Sequence, residues 1–313
     1  MNLPGYSSRA AHTDDVAELE ELFIALDREE GVEPSYLAED LGSAWRRTDF
    51  DVAADTFVIT SDGGAIAAYG HVETRPPTAL IAMGWVHPDH RGVGLGSSLI
   101  DVLESRARAK GDASEEAFER VINIVTEWDR PAAQLLSKAG YRIVRHFWSM
   151  EVDLAGDVET PDPVVGVTLR NFDVAEAVAT HNVLVEAFRD HWGSDFPGFD
   201  DWSAETLEKK GYDPKLWWVA EAGGELVGVL VAEVLAGTGW VIDLGVEREW
   251  RKRGIGRALL LQAFNDFKRR GLTRAALGVD SESLTGATRL YENVGMKKYR
   301  QIDFYGKDLG YGR

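Results

Sequence analysis

The sequence predicts two tandem domains of the α/β or α+β class, each a mixed, mostly antiparallel sheet flanked by helices. Three observations support this prediction. The chain of 313 residues repeats itself once, each half has a common single-domain size of about 155 residues, and strand-like and helix-like apolar patterns alternate in both halves. A period this long indicates two domains, because the units of solenoid proteins are several-fold shorter.

The repeat is clearest in a glycine-containing segment. Residues 246–256 begin with Val and contain the pattern Arg-x-x-Gly-x-Gly, and residues 86–96 do the same 160 positions earlier. Beyond this motif the spacing falls to 155, as between Gly140 and Gly295. We therefore expect domains at 1–155 and 164–313, joined by a polar linker that Pro161 and Pro163 stiffen.

Hydrophobic periodicity gives the order of elements within a half. In the second half it predicts strands at 164–170, 216–222, 226–235, 240–246, 275–279 and 299–307, and helices at 174–188, 201–210, 256–270 and 284–294. The helix at 256–270 has a broad apolar face that would pack on the sheet. The first half follows the same order.

Composition excludes several kinds of site and partner. The net charge of −18 argues against nucleic acid, because the phosphates would be repelled. No apolar run is long enough for a membrane span, and no signal peptide is recognisable, so we expect a cytoplasmic monomer or homodimer without a membrane partner. The chain has no cysteine, and its seven histidines lack ligand spacing, so we expect no metal site.

The repeated motif has the features of an anion site. Its glycines allow a sharp turn that exposes backbone N–H groups, the following helix adds the positive end of its dipole, and the arginine adds a charged fork. A pyrophosphate fits such a site. A dinucleotide fingerprint would need a third glycine, and a P-loop would need Gly-Lys before Ser or Thr; neither is present. The remaining alternative is a glycine-rich turn that only caps a helix.

The order strand, Arg-x-x-Gly-x-Gly, helix resembles the acetyl-CoA site of the GNAT acetyltransferases over nearly the whole chain. The resemblance implies acetyl-CoA as co-substrate, no metal, and direct transfer of an acetyl group to a primary amine, since no cysteine could carry an acyl group. In the second half, the cofactor-binding residues that it implies are the main-chain donors of Leu244 and Val246, the loop Arg251, Lys252, Arg253, Gly254, Ile255, Gly256 and Arg257, and Ser283, which stands where the family often has asparagine. In the first half they are Arg91, Gly92, Gly94 and Gly96.

Two side chains of the second half are candidate catalytic groups. Tyr291 lies in Leu-Tyr-x-x-x-Gly-Met, which is similar to the family motif whose tyrosine protonates the departing thiolate. A phenol with a pKa of about 10 suits that role; the alternative is a tyrosine packed in the core. Asp243, in the strand before the cofactor loop, could take the proton of the acceptor ammonium. The family often has glutamate slightly earlier, so a structural aspartate is the alternative.

The first half keeps the glycine motif and lacks both groups. Leu136 stands where the second half has Tyr291, and Met83 stands where it has Asp243. Neither side chain exchanges protons, so we expect a catalytically silent first half that either holds CoA or only supports the second. This division resembles that of the tandem GNAT enzymes of the mycothiol synthase type, although the position of their catalytic glutamate falls near Gly239 and Trp240 here.

The acceptor is expected between the first two helices of the second half. Asp190, Trp192, Asp195 and Trp202 combine carboxylates with aromatic rings, which suits a small organic cation. The alternative is a loop whose rings pack on the neighbouring half. The sequence therefore predicts an N-acetyltransferase for a small-molecule amine, active in its second half. The alternative is a non-catalytic protein that binds or senses CoA.

Overall fold

A computed structural model describes residues 3–31, 45, 47, 49–75, 79–114, 118–193, 196–209, 212–283 and 285–310. Its contacts divide the chain into two compact units. Unit 1 contains residues 1–145 and 302–313, and unit 2 contains residues 146–301. Within each unit, parallel and antiparallel strand pairs are flanked by helices, as the sequence predicts.

The strands of unit 1 follow one another along the chain except for the last. Their bounds are β1 (Tyr6–Arg9), β2 (Thr56–Ser61), β3 (Ile66–Arg75), β4 (Ala79–Val86) and β5 (Arg120–Thr126). These strands pair in that order, antiparallel except for the parallel pair β4–β5. The sheet continues with residues 302–308, which belong to β12 (Lys297–Asp308) and pair antiparallel with β5.

Unit 2 repeats this arrangement. Its strands are β7 (Thr168–Asn171), β8 (Trp218–Ala222), β9 (Glu225–Leu235), β10 (Thr238–Val246) and β11 (Arg274–Asp280). They too pair in chain order, and only β10–β11 is parallel. Residues 147–153 of β6 (Arg142–Asp153) then pair antiparallel with β11.

Helices cover the sheets of both units. The described part of the chain contains α1 (Val16–Glu30), α2 (Val52–Asp55), α3 (Leu95–Ala113) and α4 (Arg130–Lys138) in unit 1, and α5 (Ala177–Phe188), α6 (Phe199–Thr206), α7 (Ile255–Arg269) and α8 (Ala287–Asn293) in unit 2. In unit 2, α5 packs on β10 where Gly245 leaves room for Leu184 and Ala187. The opposite face receives α7, because a Cβ at Gly239 would meet the ring of Phe267.

The compact units differ from the sequence repeat at two strands. The repeat predicts domains at 1–155 and 164–313, whereas residues 146–153 lie in unit 2 and residues 302–313 lie in unit 1. The physical reason is strand pairing: the end of β6 pairs with β11, and the end of β12 pairs with β5. Each half of the sequence therefore supplies the last strand of the other half's sheet.

The predicted order of elements in unit 2 is confirmed, with shifts at the ends of elements. The last helix begins at Ala287 rather than at 284, because Gly286 adopts a left-handed conformation with φ of 76° directly before it. The core of unit 2 contains the apolar face predicted for the long helix, including Leu259, Phe264 and Phe267.

We expect Gly239→Ala to destabilise unit 2. The new methyl group would lie 2.5 Å from the buried ring of Phe267, and such overpacking costs about 1–3 kcal/mol. The matched control is Gly278→Ala on β11, where a Cβ meets nothing within 4 Å. Urea unfolding followed by tryptophan fluorescence should show a lower midpoint for Gly239→Ala only; equal midpoints for the two variants would contradict the close approach of α7.

Candidate functional site

Strand β10 changes partners in its middle. It pairs in parallel with β11 only at residues 239–241, while it stays paired with β9 as far as Val246. The register with β9 shifts between Val241 and Asp243, which makes Ile242 the extra residue of a bulge. Beyond Val241, the edge of β10 that faced β11 is therefore open.

The open edge carries two backbone donors that the sequence singled out. The N–H of Glu247 donates to the carbonyl of Val227 on β9 at 3.0 Å. Successive residues of a strand turn their N–H groups to opposite edges, so the N–H groups of Leu244 and Val246 point away from β9. They thus lie side by side on the edge that β11 has left.

The loop after β10 has the backbone geometry of an anion site. Lys252 and Gly254 both adopt left-handed conformations, with φ of 62° and 89°. Helix α7 begins directly afterwards, and its first backbone bond runs from the N–H of Ala258 to the carbonyl of Gly254. The N–H groups of Ile255, Gly256 and Arg257 are therefore left without partners inside the helix, at the positive end of its dipole.

Arg251 has a different environment from the one that the motif suggests. Its Nε donates to the carbonyl of Val246 and its Nη2 to the carbonyl of Ala187, both at 3.0 Å. The guanidinium thus ties the end of β10 to the end of α5, and two of its five N–H donors are already used. The exposed cations of the loop are Lys252 and Arg253, whose guanidinium lies over the ring of Trp250.

Arg257, in the first turn of α7, is paired with the linker. Its guanidinium lies 2.6 Å from the carboxylate of Glu159 and 3.7 Å from that of Asp162. The linker runs beside α7, where Asn265 donates to the carbonyl of Glu159. An incoming phosphate at this helix terminus would therefore compete with the carboxylates of Glu159 and Asp162 for Arg257.

Asp243 and Tyr291 are two ionisable groups of unit 2 whose pKa values are both raised. Desolvation by the surrounding protein raises the pKa of the Asp243 carboxyl to about 7, although the residue as a whole is only partly buried. Tyr291 is buried with 8% of its surface exposed, and both this burial and the charge of Asp243 raise the pKa of its phenol to about 12. Near neutral pH the phenol holds its proton, whereas the carboxyl exchanges one.

Ser283 does not cap the last helix. Gly286 occupies the cap position, and the Ser283 hydroxyl lies 2.9 Å from that of Thr285 in the preceding turn. Helix α8 begins later than the pattern suggested, so Ser283 lies in the turn before its cap. The Ser283 hydroxyl still lies in this turn, next to that of Thr285.

Unit 1 keeps the same loop geometry. Gly92 and Gly94 have φ of 79° and 96°, and a Cβ at Gly96 would lie 2.8 Å from Leu135. Arg91 pairs with Glu29 of α1 at 2.7 Å, rather than with backbone carbonyls. The parallel pairing of β4 with β5 ends at Ile81, so this unit also has an open edge.

Unit 1 has neither of these two ionisable side chains. Leu136 is buried with 3% exposed, and Met83 is directly opposite His71 in the β3–β4 register. Burial lowers the pKa of His71 to about 4, so its ring is neutral. Trp85 stands where unit 2 has Gly245, and its ring stacks on Tyr69. In unit 2 the space above Gly245 is taken instead by Leu184 and Ala187 of α5.

The structure does not bring the four predicted acceptor residues together. Asp190 is exposed and paired with Arg248, Trp192 lies near Phe147, and Asp195 is outside the described residues. Trp202 is a core residue with 2% exposed, packed against the rings of His181, Phe199 and Trp217. Its ring therefore contributes to the core of unit 2, and the expectation that it faces an acceptor is corrected.

A cleft next to Asp243 escaped the sequence analysis. It is lined by residues of α6, β9 and β10 and by Tyr212, whose hydroxyl is buried. Periodicity placed 201–210 in a helix and gave no reason to select a tyrosine two residues beyond it. The only available signal is the turn sequence Gly-Tyr-Asp-Pro at 211–214, which indicates a loop.

The described residues contain no group of three or more histidine, aspartate or glutamate side chains placed to hold a metal ion. None of their helices combines the length and apolar character that a membrane crossing requires.

The chain matches a known family in both halves. The model of the acetyltransferase (GNAT) family matches residues 17–141 and 181–296. Mycothiol acetyltransferase of Thermobispora bispora is 31% identical over 258 residues, which is 78% of this chain and 80% of that protein. The mycothiol acetyltransferase of Salinispora arenicola is 28% identical over 94% of this chain and 95% of its own length.

Solved structures agree with this match. A GCN5-related N-acetyltransferase from Sphaerobacter thermophilus superposes with a TM-score of 0.83 at 32% identity, covering 100% of this chain and 98% of that one. A tandem GNAT protein from the clavulanic acid biosynthesis pathway superposes with a TM-score of 0.74 at 18% identity, covering 98% of this chain and 100% of that one. The second likeness concerns the fold alone.

We expect Asp243→Asn to lower the pKa of Tyr291 from about 12, because the negative charge that opposes ionisation of the phenol is removed. The pKa should stay above its ordinary value, since burial persists. Tyrosine ring carbons followed by NMR against pH would measure the change, with Tyr291→Phe to assign the signal. Asp303→Asn, which removes the charge near Tyr305, is the control that should leave Tyr291 unaffected; an unchanged Tyr291 in Asp243→Asn would show that the two groups are not coupled.

Proposed function

We propose, since this chain belongs to the acetyltransferase (GNAT) family, that unit 2 is its catalytic unit and acts on a small-molecule amine. As a family member the protein is an acetyl-CoA-dependent transferase that acetylates an amine. The observation that supports unit 2 most strongly is the pair of ionisable residues Asp243 and Tyr291, which unit 1 replaces with Met83 and Leu136.

The residues of unit 2 fit acetyl-CoA. When bound, acetyl-CoA supplies an activated thioester. The N–H groups of Leu244 and Val246 on the open edge of β10 would bind its pantetheine arm and the acetyl carbonyl, where they stabilise the negative charge that develops on oxygen. The loop Arg251–Arg257 would hold the pyrophosphate through backbone N–H groups and the exposed Lys252 and Arg253, because its left-handed turns expose these donors.

Arg251 contributes to this site by positioning. Its bonds to the carbonyls of Val246 and Ala187 fix the end of β10 relative to α5, and they keep the open edge and the loop in one arrangement. Ser283 stays a candidate for a cofactor contact, because among the described residues its hydroxyl is bonded to that of Thr285 alone. Arg257 would exchange its pairing with Glu159 for the phosphate.

Asp243 is proposed as the general base. An acceptor amine must be unprotonated to attack, and a carboxyl with a pKa of about 7 accepts a proton near neutral pH far better than an ordinary aspartate. Tyr291 is proposed as the general acid, because burial and the charge of Asp243 keep its phenol protonated until it donates to the departing thiolate. Transfer is direct, because the chain has no cysteine to carry an acyl group.

Unit 1 is proposed to be catalytically silent. It retains Arg91, Gly92, Gly94 and Gly96 in a loop that could still hold CoA, but it has Met83 and Leu136 where unit 2 has Asp243 and Tyr291. The proposed acceptor class is supported by relatives that are named mycothiol acetyltransferase. These transferase names give no support to a protein that senses CoA without turnover.

We expect Gly254→Val to weaken acetyl-CoA binding at least tenfold, because a β-branched side chain resists the left-handed φ of 89° and blocks approach to the backbone donors. Isothermal titration calorimetry with acetyl-CoA measures the affinity. Gly94→Val makes the same change in unit 1, where φ is 96°. If only Gly94→Val lost binding, the acetyl-CoA site would lie in unit 1, and the assignment to unit 2 would be wrong.

Tyr291→Phe should lower turnover by about 10²–10⁴-fold, the usual contribution of a positioned acid, with little change in acetyl-CoA affinity. Free thiol release with an amine panel measures turnover. Wild-type activity should rise with pH up to about 7 and then level off as the Asp243 carboxyl loses its proton, and Asp243→Asn should abolish this rise.

The silent unit provides a control for the same experiment. Leu136→Tyr combined with Tyr291→Phe should not restore turnover, because Met83 offers no base beside the new phenol. If Tyr291→Phe kept full activity, Tyr291 would not be the general acid. If Asp243→Asn kept the wild-type pH profile, Asp243 would not be the general base.

A further inference from the structure

The cleft beside Asp243 shares a face of the sheet with that carboxylate. Val231 lines the cleft and is directly opposite Asp243 in the β9–β10 register, so their side chains stand on the same face. Ile242, the bulge residue, lines it as well and immediately precedes Asp243. A molecule in this cleft would therefore lie next to the proposed base.

Tyr212 is the unusual member of the lining. Its hydroxyl is buried and finds no hydrogen-bond partner among the described residues. The ring is held edge-on against the buried ring of Trp217 at 5.4 Å, so the hydroxyl has a fixed direction. A buried polar group without a partner is costly, and it is usually satisfied by water or by a ligand.

The charges at the cleft are already paired. Glu233 lies 2.8 Å from Lys209, and Asp213 lies 2.7 Å from Arg270. Carboxylates that are neutralised in this way attract a second cationic group of a ligand only weakly. The unmet requirement of the cleft is thus one hydrogen bond to a neutral hydroxyl, rather than another ion pair.

Building on the proposed function, we propose that Tyr212 determines acceptor specificity by hydrogen-bonding to an uncharged hydroxyl-type group of the acceptor. Unit 2 then selects amines that carry hydroxyl groups over aliphatic amines of the same size. Tyr212 binds the part of the acceptor that does not react, while Asp243 accepts a proton from the reacting amine. This differs from binding of a small organic cation by the segment between α5 and α6, which the sequence predicts.

The test uses matched pairs of amines, ethanolamine with propylamine and glucosamine with cyclohexylamine. The catalytic efficiency, kcat/KM, is measured by thiol release and expressed per unprotonated amine, and binding is measured by calorimetry in the presence of CoA. Wild-type protein should prefer the hydroxyl-bearing member of a pair by about tenfold or more. Tyr212→Phe should lose this preference in both measurements.

Two controls separate recognition from a structural role. Tyr299→Phe removes a phenol outside the cleft of the same unit and should keep the preference. Thermal unfolding of Tyr212→Phe without ligand should match wild type, because the hydroxyl has no partner to lose. Strong destabilisation would show an internal partner and overturn the proposal, as would an unchanged preference in Tyr212→Phe or a panel of which no member binds.

The outcomes distinguish this inference from the proposed function. If hydroxyl-bearing amines bind through Tyr212 and release no thiol, the specificity assignment stands and the catalytic assignment of unit 2 fails. If thiol release proceeds with the same preference in Tyr212→Phe, the catalytic assignment stands and the specificity assignment fails.

Discussion

The separation of β10 from β11 after Val241 is the constraint on which the site depends. A parallel pair that continued to the end of both strands would use the N–H groups of Leu244 and Val246 for the sheet. The bulge at Ile242 changes the phase of the strand, so that Asp243 and Gly245 face α5 while the two donors face the open edge. Arg251 then holds that edge in place through the carbonyl of Val246.

Burial raises the pKa values of both Asp243 and Tyr291, and the two shifts suit different roles in proton transfer. A carboxyl and a phenol in water differ in pKa by about six units; here the values are about 7 and about 12, so both shift upward together. The shift brings the carboxyl into the range where it exchanges protons near neutrality, and it keeps the phenol protonated. Because Asp243 holds more protons when folded than when unfolded, its contribution to stability declines as pH rises towards 7.

The sequence predicts the repeat, the order of elements and the loop geometry well, because each depends on local patterns. The positive φ of Gly254 and the buried position of Tyr291 follow from the motif and the helix period. The acceptor side depends on tertiary packing instead. Nothing local shows that Trp202 enters the core or that Arg251 bonds to Ala187, 64 residues away. The left-handed conformation of Lys252 shows only through the repeat, because its counterpart is Gly92.

The exchange of final strands has a consequence for how such a duplicated chain can change over time. Residues 147–153, which pair with β11 of unit 2, belong to the first half of the sequence. Residues 302–308, which pair with β5 of unit 1, belong to the second half. A deletion of the first half would remove a strand from the sheet of unit 2, and a chain that stopped at the repeat boundary would leave β5 with an unpaired edge. Individual side chains of the first copy can therefore change freely, whereas loss of the copy itself would leave the sheet of unit 2 incomplete.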